Sequence, residues 1–154
     1  MKKSTLSDLY CPKSLLDGKI VSFKSSYSYL QSPVDKYTIY DGVPDLRLKN
    51  DRSYTPYDTV LSSLQRISHN VNTEKYIMSM SIKKKDISGK KVLIAGVAGG
   101  TDLDVILSLN PKKVYAIDFS STVINLSKDP YYKNKNVHFI VGDLCNLPFK
   151  NNTF

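Results

Sequence analysis

The segment Val92-Leu93-Ile94-Ala95-Gly96-Val97-Ala98-Gly99-Gly100-Thr101-Asp102 constrains the fold more than any other stretch of this chain. An apolar run stops at a glycine-rich turn, and a second apolar pattern follows at helical spacing. That order reads as strand, tight loop and helix. Glycine has no Cβ, so a loop of this kind lets the backbone come close to a ligand.

The same alternation continues to the last residue. Strands are expected at Lys91–Ala95, Lys113–Ile117 and Val137–Val141, and helices at about Asp102–Leu109 and Ser121–Lys128. Thr101 and Ser120 are placed as N-caps. Asn110-Pro111 and Asp129-Pro130 end the two helices. Strands in βαβ succession imply a parallel sheet. The fold class is therefore α/β.

Residues 1–50 read differently. Ile20-Val21-Ser22-Phe23 and Tyr37-Thr38-Ile39-Tyr40 look like strands, the second closed by Asp41-Gly42 and Pro44. This is a small β-rich module. Residues 51–90 read as a helical connector. Val60, Leu61, Leu64 and Ile67 share one face of a helix over 57–67, and a second helix covers Thr73 to about Lys84. His69 is read as a surface or helix-terminus residue. The third zone, 91–154, is the α/β domain.

Composition excludes some classes. No apolar run reaches the roughly 18 residues needed to cross a membrane, and the polar stretch Ser4–Tyr10 offers no signal-peptide core. A cytoplasmic protein with no membrane partner is expected. The net charge is +8, and the first 90 residues carry 15 of the 22 basic side chains against 9 of the 14 acidic ones. The densest point, Lys83-Lys84-Lys85, reads as a solvated helix face or loop, with a nucleic-acid contact as the alternative. Two cysteines, Cys11 and Cys145, are too few for a disulfide framework. Cys145 reads as a small loop or core residue.

The chemistry lies at the strand ends. Ligands of open α/β sheets bind beyond the carboxyl ends of the strands. The first strand ends at Gly96. The second ends at Asp118, whose carboxylate suits two charge-assisted hydrogen bonds from a ribose diol. The third ends at Gly142-Asp143, an acceptor for an adenine amino group. Each residue alone has an ordinary structural explanation; together, in this order, they describe an adenosine pocket. A dinucleotide fold wants Gly-x-Gly-x-x-Gly, and here those positions are Gly96, Ala98 and Thr101.

The pattern instead resembles motif one of the class I S-adenosylmethionine-dependent methyltransferases. Val114-Tyr115-Ala116-Ile117-Asp118-Phe119-Ser120 resembles that family's second motif. Gly142-Asp143-Leu144-Cys145-Asn146-Leu147-Pro148-Phe149, followed by Asn152-Thr153-Phe154, resembles its third and the approach to its fourth. The family's motif-one acid is Ile94 here, and its middle glycine is Ala98. The resemblance implies a partial Rossmann-like doubly wound parallel sheet and S-adenosylmethionine as cofactor. It implies that Gly96, Ala98 and Gly100 line the methionine and ribose side. Asp118 would hold the ribose hydroxyls, Asp143 the adenine amino group, and the Leu144 backbone would lie beside the ring. It implies a methyl acceptor that is a small molecule or RNA.

The chain stops at Phe154, where the family continues with further strands. A truncated domain, a fragment with little or no transferase activity by itself, is therefore expected, and no catalytic residue is assigned. Self-association through an open sheet edge is expected as well. In the first zone, Leu9-Tyr10-Cys11-Pro12-Lys13-Ser14 and Tyr37–Leu46 resemble the Trm112-type zinc-ribbon module. Ser14 stands where that pattern has its second cysteine, so no zinc is expected. The alternatives are an NAD(P)-dependent oxidoreductase fragment and a non-catalytic interaction module.

Overall fold

The computed structural model describes residues 6–12, 22–48, 77, 79–97 and 100–154. The helix expected over 57–67, with His69, lies outside the described residues, as do residues 73–76 and 78 of the helix expected from Thr73.

The parallel sheet contains β5 (Lys91–Ala95), β6 (Lys113–Asp118) and β7 (Val137–Val141), in that spatial order. Register is continuous: Lys91 pairs with Lys113 and Ala95 with Ile117, then Val114 with Val137 and Asp118 with Val141. The strand bounds match those read from sequence, except that β6 runs one residue further, to Asp118. Its central residues Val114, Tyr115, Ala116 and Ile117 are all fully buried. A strand buried on both faces reads as a continuous apolar run.

The two faces are covered by different parts of the chain. Helices α2 (Thr101–Ser108) and α3 (Ser121–Lys128) both cover one face. Leu103, Ile106, Val123 and Ile124 pack there against Ile94, Val114, Ala116 and Phe139. The other face is covered by the amino-terminal residues. Leu9, Cys11, Leu30, Tyr37 and Leu46 share one core with Tyr115, Ile117, Ile140 and Phe149. Burying a large aliphatic side chain is worth about 1.5–3 kcal/mol, so this shared core contributes stability to both parts.

The amino-terminal part is an antiparallel sheet, ordered β1 (Lys24–Ser25), β2 (Tyr29–Gln31), β3 (Lys36–Tyr40) and β4 (Val43–Pro44). Tyr40 pairs with Val43 across Asp41 and Gly42, whose φ angles are +46° and +76°. Two positive φ values at the centre of a two-residue hairpin are what Asp-Gly supplies most readily. β3 buries Tyr37 and Ile39 and exposes their neighbours, the period-2 pattern of a half-buried strand. Of the strand expected at Ile20–Phe23, Ile20 and Val21 lie outside the described residues. Ser22 and Phe23 are not in a strand, and pairing begins at Lys24.

After Pro44 the chain leaves this sheet and joins the parallel one. Asp45 bridges Val141 in parallel sense, and the Leu46 N–H donates to the Val141 carbonyl at 2.7 Å. At residue 9 a second junction forms. Leu9 bridges Phe149, and Tyr10 N–H donates to Pro148 O at 2.8 Å.

Two local departures from the sequence reading have simple causes. Gly100, not Thr101, is the N-cap of α2, at φ +86°. A β-branched threonine is disfavoured in that left-handed region, so it takes the first helical position instead. Helix does not finish near Lys84. Ser81 turns at φ +55°, and a new four-residue helix, α1 (Lys84–Ile87), begins there. Asp129-Pro130 ends α3 as expected, at Lys128, and a 3-10 turn follows directly at Asp129–Tyr131, where proline's fixed φ is tolerated. Ser120 caps α3 as expected, its hydroxyl accepting the Val123 N–H.

A buried ionic cluster sits at the amino ends of the parallel strands. Lys91 and Lys113 are paired neighbours, a juxtaposition of like charges that costs stability. Asp8 offsets it: its carboxylate lies 2.8 Å from Lys91 Nζ and 3.5 Å from Lys113 Nζ, and accepts the Tyr115 hydroxyl at 2.6 Å. Burial pushes the Asp8 carboxyl up, but the hydrogen bonds from Lys91 and Tyr115 and both lysine charges outweigh it, leaving a net downward shift. Burial, then the Asp8 hydrogen bond and charge, push the Tyr115 phenol well above its ordinary value. No described helix is long and apolar enough to cross a membrane.

Candidate functional site

The turns that follow β5, β6 and β7 lie side by side at the carboxyl edge of the sheet. Two hydrogen bonds extend the ladder past the strands: Gly96 N–H to Ile117 O and Gly142 N–H to Asp118 O, both 2.9 Å. The glycine turn, Asp118 and Asp143 are thereby held on three adjacent strand ends. Gly96, Asp118 and Asp143 follow or end three adjacent strands, Gly100 caps α2, and Leu144 comes directly after Asp143. Ala98 lies outside the described residues.

Gly96 has φ +81°, and a Cβ placed on it would meet nothing within 4 Å. The backbone there is open to an incoming group, and its conformation is one that other residues resist. Gly100 also has positive φ, and a Cβ there would reach only Ser127, at 3.8 Å. Gly142 answers to packing instead. A Cβ there would lie 2.8 Å from Ile117 Cδ1.

Asp118 is the hinge of the arrangement. Its Oδ2 accepts the Val97 N–H at 3.0 Å, which anchors the glycine turn to β6. Its Oδ1 accepts the Ser120 N–H at 2.9 Å. The N-cap of α3 is Ser120, so Asp118 is not spent on capping that helix. Each carboxylate oxygen has two lone pairs, and among the described residues each accepts one donor. Asp143 accepts the Cys145 N–H on Oδ1 at 2.8 Å and caps a 3-10 turn at Leu144–Asn146. Leu144 is 43% exposed beside it, an apolar surface suited to a planar ring. Cys145 is exposed, and Cys11 is buried against Ser32 Oγ at 3.1 Å. Among the described residues no group of three or more His, Cys, Asp or Glu could hold a metal ion.

The sequence reading missed Asp45 and Arg47. Arg47 is 6% exposed and forms a fork onto Asp45, at 3.0 Å from Nε and 2.8 Å from Nη2. Its Nη1 donates to the Phe119 carbonyl at 3.2 Å, and its guanidinium lies 5.3 Å from the Phe119 ring centre. The available signal was slight: Asp and Arg two apart in an extended segment share a face. Both also line a cleft of about 270 Å³ with Tyr40, Val43, Ser121 and Val141. A cleft of about 470 Å³ lies elsewhere, between the Asp41–Gly42 turn, the end of α3 and the start of β7, at the end of β7 remote from Asp143.

Residues 93–154 match the family model described as a methyltransferase domain. A demethylmenaquinone methyltransferase from Staphylococcus haemolyticus is 26% identical over 112 residues, covering 69% of this chain and 46% of that protein. The chain thus spans about half the length of the curated relative it matches. Among solved structures, phosphoethanolamine N-methyltransferase 2 of Haemonchus contortus, in complex with S-adenosyl-L-methionine, aligns with TM-score 0.48 and 21% identity. That alignment covers 77% of this chain and 29% of that one. A tRNA (m1A58) methyltransferase from Aquifex aeolicus aligns with TM-score 0.40 and 16% identity, over 84% and 59% of the two chains. The family match makes residues 93–154 similar to a methyltransferase domain, and S-adenosylmethionine is the cofactor this supports.

Proposed function

We propose that this chain binds S-adenosylmethionine across the carboxyl ends of β5, β6 and β7 and belongs to an enzyme that transfers its methyl group. Asp118 carries the reading. It joins the glycine turn to β6 through Val97 and keeps acceptor capacity for a ribose diol. Gly96, Ala98 and Gly100 line the methionine and ribose side; Asp143 accepts the adenine amino group, with Leu144 beside the ring. When bound, the cofactor supplies an electrophilic methyl group on a sulfonium. The chain's part is to hold the adenosine so that this methyl is correctly presented, since alignment dominates such a displacement.

The acceptor is proposed to be a small molecule or RNA, and cofactor binding, rather than turnover, is the property proposed for this chain. The domain scheme is 1–50, 51–90 and 91–154. The first part is read as a Trm112-like module without zinc, supported by the Tyr37–Leu46 segment; a stoichiometric metal signal from purified protein would overturn that. Self-association through β5 is proposed because, among the described residues, β5 ends the strand order, with Val92 and Leu93 only half-buried. Sedimentation over a concentration series tests it: concentration-dependent association is expected, and a monomer throughout counts against it.

Calorimetric titration with S-adenosylhomocysteine tests the central reading. Saturable one-to-one binding is expected. Binding of NAD(P) without binding of S-adenosylhomocysteine would instead favour the oxidoreductase.

A further inference from the structure

We propose that Arg47 is a positioning residue for the cofactor site, by which the amino-terminal β-rich part sets the orientation of Asp118. The inference rests on the cofactor reading above and adds a residue from outside the matched domain, which begins at residue 93. The Phe119–Ser120 peptide unit is held from both sides. Its carbonyl accepts from Arg47 Nη1 at 3.2 Å, and its N–H donates to Asp118 Oδ1 at 2.9 Å. One amide plane therefore couples the guanidinium to the carboxylate.

The guanidinium is itself immobilised. Asp45 holds it through both carboxylate oxygens, a geometry that fixes orientation as well as charge. The Arg47 N–H also donates to Asp45 Oδ1 at 3.2 Å. Asp45 is fixed in turn, because it bridges Val141 and the next residue, Leu46, donates to the Val141 carbonyl. Val141 immediately precedes Gly142 and Asp143. Segment 45–47 thus touches the ends of both acid-bearing strands. Contact between the guanidinium and the Phe119 ring holds the side chain next to Asp118 as well.

The test uses the purified chain, S-adenosylhomocysteine as probe, and amide hydrogen exchange read by NMR. Arg47→Met keeps the aliphatic stem and removes the fork. It is expected to weaken S-adenosylhomocysteine binding by about tenfold or more, the loss of one charge-assisted hydrogen bond. Exchange should rise selectively at the Val97 and Ser120 amides, with Ile117 and Ile140 little changed. A merely structural role would raise exchange uniformly. Asp45→Asn, which loosens the fork while keeping the arginine, should act in the same direction and covers the case in which Arg47→Met does not fold. Unchanged affinity together with unchanged or uniform exchange would overturn the proposal. If the unaltered chain binds no S-adenosylhomocysteine, yet Arg47→Met still exposes Val97 and Ser120 selectively, the cofactor assignment falls and the coupling of Arg47 to Asp118 stands.

Discussion

Tyr115, at the centre of β6, donates its hydroxyl to Asp8 at 2.6 Å across 107 residues of sequence. The same carboxylate pairs with both lysines 91 and 113 and so eases their mutual repulsion. Because the folded-state pKa of Asp8 lies below its ordinary 3.8, the folded state holds fewer protons than the unfolded one near that pH. The cluster's stabilisation is therefore present above about pH 4 and fades as pH falls through the folded value. Tyr115 gives the opposite flank: its raised pKa makes stability fall as pH climbs beyond the ordinary 10.0. Asp8→Asn should cost about 1–3 kcal/mol at pH 7 and should flatten the acid flank. Urea midpoints measured from pH 3 to 7 for both proteins check this, and an unchanged acid slope in the variant would count against it.

Asp118→Asn removes the charge while preserving shape. The amide nitrogen replaces one acceptor, so either Val97, Ser120 or the ligand loses its partner. Affinity for S-adenosylhomocysteine should drop about 10- to 100-fold, as for loss of a charge-assisted hydrogen bond. Calorimetry reads the affinity, and a thermal melt shows whether folding is retained.

Gly96→Ala and Gly89→Ala form a matched pair. Both glycines have positive φ and open space where a Cβ would sit. Each substitution should cost about 1–2 kcal/mol through the backbone alone. Only Gly96→Ala should also weaken S-adenosylhomocysteine binding, because only that Cβ enters the proposed site. Equal effects of both variants on affinity would remove Gly96 from it.

Leu30→Ala tests the shared core. Leu30 lies in β2 and is fully buried in the cluster that includes Ile117 and Ile140. The substitution should cost about 2–5 kcal/mol and lower one common unfolding transition. Near-ultraviolet dichroism from tyrosine and far-ultraviolet dichroism should report the same midpoint. Two separated transitions would show that the two sheets fold independently.

The parallel strands were legible because local signals bound them. Apolar-rich runs of four or five residues stop at Gly96, at Asp118 and at Gly142-Asp143, and glycine, proline and capping residues mark each change. The start of α2 was read one residue late because the left-handed φ at Gly100 depends on how the turn packs. Arg47 and Asp8 were not legible. Their partners lie 72 and 107 residues away, and no periodicity in a short polar segment encodes such a meeting. The cover of the second sheet face was hidden for the same reason. Tyr37 and Ile39 announce a buried face of β3, but nothing local says that Tyr115, Ile117 and Ile140 lie opposite.

The order of synthesis gives that second face a further meaning. Leu9, Leu30, Tyr37 and Leu46 leave the ribosome long before Ile140 and Phe149 exist to receive them. Until then their greasy side chains have no permanent home, and contacts this far apart close slowly. A nascent chain of this design stays vulnerable to clumping until nearly its last described residue is made.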